Sequence, residues 1–150
     1  MTKKLVVVAD LGRFKAYRLE EDRNFSNPRL ELLEDWETNV NHHLSEEVSD
    51  QAGQFRRGTP KAGGATAISD GEAHNMDLER RRRAVKSVAR RIGELLQDQK
   101  VEGCYLAADN QINKAIMAEM DHHTRSRIQK NVPANLTRLD ASAVVSQFSR

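Results

Sequence analysis

The chain has 150 residues, with 38% hydrophobic and 31% charged residues and a net charge of only +2. That length suits one domain that can bury a core without covalent staples, and the near-neutral total excludes a protein that is a polycation throughout. A single cysteine, Cys104, excludes an internal disulfide and a cysteine-rich zinc site.

The N-terminus reads MTKKLVVVADLGRF, in which only Leu5 to Ala9 is continuously apolar. A secretion signal needs roughly 7–15 apolar residues, and a membrane span needs about 20. A soluble, cytoplasmic chain with no membrane partner is therefore expected. Leu5–Val8 is an unbroken aliphatic run, which fits a strand buried on both faces. Asp10-Leu11-Gly12 is a turn. Arg13–Leu19 alternates, with Phe14 and Ala16 on one face and Tyr17 and Leu19 on the other. A second turn holds Asn24, Ser26, Asn27 and Pro28. Arg29–Trp36 gives a third strand, with Leu30, Leu32 and Glu34 facing one way.

Residues 37–69 carry no sustained period. Loops of that length are uncommon in compact domains, and many are functional. This one contains DQAGQFRRGTPKAGG, residues 50–64. Its glycines permit close backbone approach, and Arg56, Arg57 and Lys61 supply positive charge. The Walker spacing GxxxxGK[ST] is absent.

Ser69-Asp70-Gly71-Glu72 matches a capping box. Beyond it Leu78, Val85, Val88, Ile92, Leu95 and Gln99 form a helical stripe that ends near Lys100. Between Glu79 and Arg91 stand six arginines and one lysine against one glutamate, a local charge of +6. Arg80, Arg81, Arg82 and Arg83 begin that segment. Guanidinium groups bind phosphate bidentately, so the cluster suits nucleic acid or another polyanion.

Gly103–Ala108 is a second buried strand, which makes Cys104 a core residue. Asp109-Asn110 cap a helix bearing Ile112, Ile116 and Met120. Arg127–Val132 is a fifth strand. Leu136 reaches the core, and Asp140–Gln147 is a last helix with apolar Ala141, Val144, Val145 and Phe148 beside it. The whole is one α/β domain, a mixed five-stranded sheet flanked by helices. Its order, β-β-β-α-β-α-β-α, is that of ribonuclease-H-like folds.

Asp10 and Asp109 each follow a buried strand. If those strands are parallel neighbours, both carboxylates lie at one sheet edge, where α/β proteins commonly bind ligands. With Glu72 or Glu79 they would form a magnesium site for phosphodiester cleavage. The simpler reading makes Asp10 a turn residue and Asp109 a helix cap. His42-His43 and His122-His123 lack an HExxH spacing and read as exposed loop residues. No cofactor is expected.

The segments LVVVADLGRFKAYRLEED, NPRLELLEDWETNV and SDQAGQFRRG resemble the bacterial family of host attachment proteins. After Gly103 the sequence LAADNQINKAI departs from the pattern of that family. The family is in turn similar to the middle domain of archaeal and eukaryotic peptide-chain release factors, which has a ribonuclease-H-like arrangement. In those factors a Gly-Gly-Gln loop before the long helix promotes peptidyl-tRNA hydrolysis. The matching residues here are Gly53 and Gln54, with Ala52 in place of the first glycine. The resemblance implies an RNA partner, tRNA or the ribosome, and a catalytic role for Gly53 and Gln54. Arg56, Arg57, Lys61 and Arg80–Arg83 would then hold phosphates.

Overall fold

The computed structural model describes residues 2–22, 28–38 and 70–149. The strands are β1 (Thr2–Ala9), β2 (Phe14–Glu21), β3 (Arg29–Trp36), β4 (Cys104–Ala108) and β5 (Ile128–Val132). The helices are α1 (Asp70–Asp98), α2 (Asn110–Glu119), α3 (His122–Ser126) and α4 (Ala141–Phe148). The strands form one mixed sheet in the order β3-β2-β1-β4-β5. β1 pairs antiparallel with β2, and β2 with β3, while β1–β4 and β4–β5 are parallel.

The expected α/β class and five-stranded mixed sheet are present. The element order differs from expectation by one short helix, α3. Asp121 caps it, accepting from the Thr124 amide at 2.7 Å. His122 and His123 are expected in a loop because α3 has too few residues to display a period.

β1 lies at the centre, and its aliphatic run serves both faces. Leu5, Val7 and Ala9 join the cluster beneath α1 and α2, whereas Val6 and Val8 join the one beneath α4. β4 divides in the same way, with Cys104, Leu106 and Ala108 on the first face and Tyr105 and Ala107 on the second. β2 follows the expected alternation: Phe14 and Ala16 face α1, Tyr17 and Leu19 face α4.

β3 departs from its expected pattern. An extra residue, Leu33, interrupts its pairing with β2 between Ala16 and Tyr17. Leu30 and Leu32 keep one parity, opposite Leu19 and Tyr17. Past the bulge the parity reverses. Glu34 pairs with Ala16 and faces α1, contrary to its expected place beside Leu30 and Leu32. Trp36 stacks on Phe14 with ring centroids 4.5 Å apart. On an edge strand under a short helix, Leu32 stays 52% exposed.

α1 is half core and half surface. Val85, Val88, Ala89, Ile92, Leu95 and Leu96 are buried against the sheet. His74 through Arg83 are all exposed, so Leu78, expected on the buried stripe, lies outside it at 43% exposure. Geometry explains this: 29 residues of helix span about 44 Å, whereas an eight-residue strand spans about 27 Å. The first turns of α1 therefore overhang the sheet. Ser69 of the expected capping box lies outside the described residues, as does the 37–69 loop beyond Thr38.

α1 and the parallel strands interlock at their other ends. Arg127, just before β5, donates to the carbonyls of Leu96 and Val101. Arg125 similarly gathers the carbonyls of Met117, Ala118 and Met120 at the end of α2. These cations satisfy acceptors that a helix end leaves open.

Candidate anion-binding edge of the sheet

The carboxyl ends of β1 and β4 are neighbours: Ala9 is in register with Ala108, and the Asp109 amide donates to the Ala9 carbonyl at 3.0 Å. Asp10 and Asp109 therefore do sit at one edge. Their carboxylates are already engaged. Asp10 Oδ1 accepts from the amides of Gly12 at 2.7 Å and Arg13 at 2.6 Å. Its Oδ2 accepts from Thr137 Oγ1 at 2.8 Å and Asn135 Nδ2 at 3.0 Å. Burial works to raise the Asp10 pKa, but the hydrogen bonds from Gly12, Thr137, Asn135 and Arg13 outweigh it and hold the carboxyl below its ordinary range. Asp109 accepts from the Gln111 amide at 2.9 Å and caps α2.

Glu79 engages Arg82 and Arg83, each at 3.6 Å, and the Glu72 side chain is outside the described residues. Among the described residues no three His, Cys, Asp or Glu side chains gather where they could hold a metal ion. His122 and His123 are exposed, though in the first turn of α3 rather than a loop, and His42 and His43 lie outside the described residues.

The same edge carries the basic patch. Arg80, Arg81, Arg82 and Arg83 are exposed on the overhanging part of α1. Arg80 and Arg81 join Asp77, Leu11 and Gly12 around a cleft of about 300 Å³. One wall of the cleft is thus the β1–β2 turn that Asp10 fixes, and the other is α1. Arg82 and Arg83 share Glu79, whereas Arg80 and Arg81 make no ion pair among the described residues. Arg13, also on the turn, is committed to Asp35 through bonds of 2.7 and 2.9 Å.

Gly53, Gln54, Arg56, Arg57 and Lys61 lie outside the described residues. The chain leaves β3 for that segment beside the cleft. Thr38 donates through its amide to the Gly12 carbonyl at 3.2 Å and through Oγ1 to the Leu11 carbonyl at 2.6 Å. It re-enters the described structure at Asp70, at the overhanging end of α1.

Sequence reasoning missed the residues that build this edge from far away. Asn135 and Thr137 stand 125 and 127 positions from Asp10. Asn113 and Asn131 exchange amide hydrogen bonds of 2.6 and 2.8 Å between α2 and β5. Their one sequence signal is a polar side chain at an otherwise apolar position, Asn113 beside Ile112 and Ile116.

Taken together, the fold and this edge define an α/β domain with a five-stranded mixed sheet and a basic helix overhanging the carboxyl ends of its parallel strands. The chain belongs to the family described as protein required for attachment to host cells, whose model matches residues 5–147. No curated protein matches it in sequence. No helix among the described residues is long and apolar enough to cross a membrane.

Proposed function

We propose that this family member is an RNA-binding domain, directed to tRNA or the ribosome, whose phosphate contacts centre on Arg80 and Arg81. The observation that carries the reading is their position. Both are exposed, both lack an ion pair among the described residues, and both border the cleft against Leu11 and Gly12. Uncommitted guanidinium groups on a surface attract polyphosphate strongly, and counterion release drives the association. Arg82 and Arg83 add longer-range attraction after exchanging Glu79 for phosphate. Arg56, Arg57 and Lys61, outside the described residues, would contribute further phosphate contacts.

The proposal extends to the release-factor-like pair. Gly53 gives the backbone freedom to approach an ester bond, and the Gln54 amide positions water or steadies developing charge there. This chemistry needs no cofactor. Filter binding of radiolabelled tRNA tests the reading. Affinity should fall steeply as salt rises, with the logarithmic slope reporting about 0.9 per phosphate neutralised on duplex regions. Absence of binding at low salt would refute it.

A second reading takes the family description at its word: a non-enzymatic interaction protein that affects surface attachment. It is favoured by the match over residues 5–147. Gln54→Ala separates the two, since a folded variant with unchanged attachment phenotype supports the non-enzymatic reading. A metal-dependent nuclease built on Asp10 and Asp109 ranks last, because four hydrogen bonds already occupy Asp10.

A further inference from the structure

At the opposite end of the sheet, on the face covered by α4, two cations converge on one phenol. Lys4 of β1 donates through Nζ to Tyr105 Oη at 2.7 Å. The same Nζ is 4.8 Å from the Tyr105 ring centroid, and Lys130 Nζ of β5 is 5.0 Å from it. Tyr105 is only 7% exposed and stacks on Phe148 with centroids 5.3 Å apart, which fixes the ring. Lys130 also donates to the Phe148 carbonyl and is thereby tied to the end of α4.

The arrangement has donors in excess. Neither lysine forms an ion pair with a carboxylate among the described residues, although Glu21 and Glu102 act on Lys4 from a distance. Tyr105 Oη accepts from Lys4, and its own O–H has no acceptor among the described residues. Two ammonium groups share one ring, and its face offers each only partial compensation. An anion held by both ammonium groups would add the missing charge partner and accept a hydrogen bond from the phenol.

We propose that Lys4, Tyr105 and Lys130 form a binding site for a phosphate-class dianion, either free phosphate or the terminal group of a small phosphate monoester. The site is separate from the Arg80–Arg81 edge and does not depend on the RNA reading. Lys4 and Lys130 supply charge, and Tyr105 supplies direction through a single O–H aimed by the Phe148 stack.

The test is an amide NMR titration at constant ionic strength in chloride, with inorganic phosphate in one arm and glycerol 3-phosphate in the other. Saturable shifts at Lys4, Tyr105, Lys130 and Phe148 are expected in at least one arm, and the tighter arm identifies the source. Tyr105→Phe keeps the stack and removes the O–H, so affinity should fall at least threefold with the spectrum otherwise preserved. Lys130→Met should lower it further. Shifts confined to the Arg80–Arg81 segment, or equal affinity in wild type and Tyr105→Phe, would overturn the site and leave the RNA reading standing.

Discussion

Thr137 Oγ1 donates to Asp10 Oδ2 at 2.8 Å, joining the first turn of the chain to the loop before its last helix. With Asn135 on the same oxygen and two turn amides on the other, Asp10 is the clamp of the candidate edge. Replacing it by Asn turns one acceptor into a donor that faces donors. The expected loss is about 1–3 kcal/mol, the usual cost of leaving such groups unsatisfied, read as a lower urea midpoint with an unchanged slope.

The same clamp makes stability depend on acid. The folded pKa of Asp10 lies below its ordinary 3.8, so the carboxylate contributes stability that is fully present above 3.8. That contribution is lost as pH falls through the lower folded value. Urea midpoints of wild type and Asp10→Asn should therefore converge on moving from neutral pH to below pH 3.8. Midpoints that stay equally far apart at the acid end would disprove the clamp.

Arg91 holds α1 to the edge strand. Its Nε lies 2.9 and 2.8 Å from the two oxygens of Glu34, its Nη2 also bonds that carboxylate, and its Nη1 reaches Glu94 at 2.8 Å. The hydrogen bonds to Glu34 and Glu94 push the guanidinium pKa upward against the opposing effect of burial. A double-mutant cycle on Arg91 and Glu34 should give a coupling of about 1 kcal/mol or more. The well-exposed Arg90–Glu94 pair should give under about 0.5 kcal/mol.

Lys100 adopts φ of 50° just beyond α1, in the left-handed region. A side chain there is strained, and glycine is not. Lys100→Gly should stabilise by about 0.5 kcal/mol, after the entropy that glycine adds to the unfolded chain. Thermal melts with a raised midpoint would agree, and a lowered midpoint would not.

Glu79 pairs with Arg82 and Arg83 while both guanidinium groups stay exposed. Glu79→Gln should release both and tighten tRNA binding several-fold at low salt, with the gain vanishing as salt screens it. Arg80→Gln with Arg81→Gln should instead lower the salt slope by about two. Equal slopes in wild type and that double variant would remove the Arg80–Arg81 contact from the proposal.

Much of the fold was legible because its signals are local. The aliphatic runs at Leu5–Val8 and Cys104–Ala108 read as central strands, and the stripe from Val85 to Leu95 read as a helix. Asp109 marked a helix start as its cap, and the last helix was placed from Asp140. The bulge at Leu33 was not legible, since it arises from how β3 meets β2 and nothing in RLELLEDW announces it. Nor was the overhang of α1, which depends on the length of strands elsewhere. At the candidate edge, the sequence pointed to Arg80–Arg83 as an exposed basic run and to Asp10 and Asp109 as neighbours at the strand ends. It could not show that Thr137 and Asn135 occupy Asp10, because their contact joins opposite ends of the chain.

The division of α1 at Ala84 also separates two evolutionary pressures within one helix. From Ala84 to Leu96 a changed side chain must still fit between sheet and helix. From His74 to Arg83 no core neighbour among the described residues constrains the choice, provided that the residue tolerates a helical backbone. Charge in that stretch can be gained, lost or reversed at little cost to folding. Homologous chains should therefore share the inner half closely and differ in the outer half according to what each one meets.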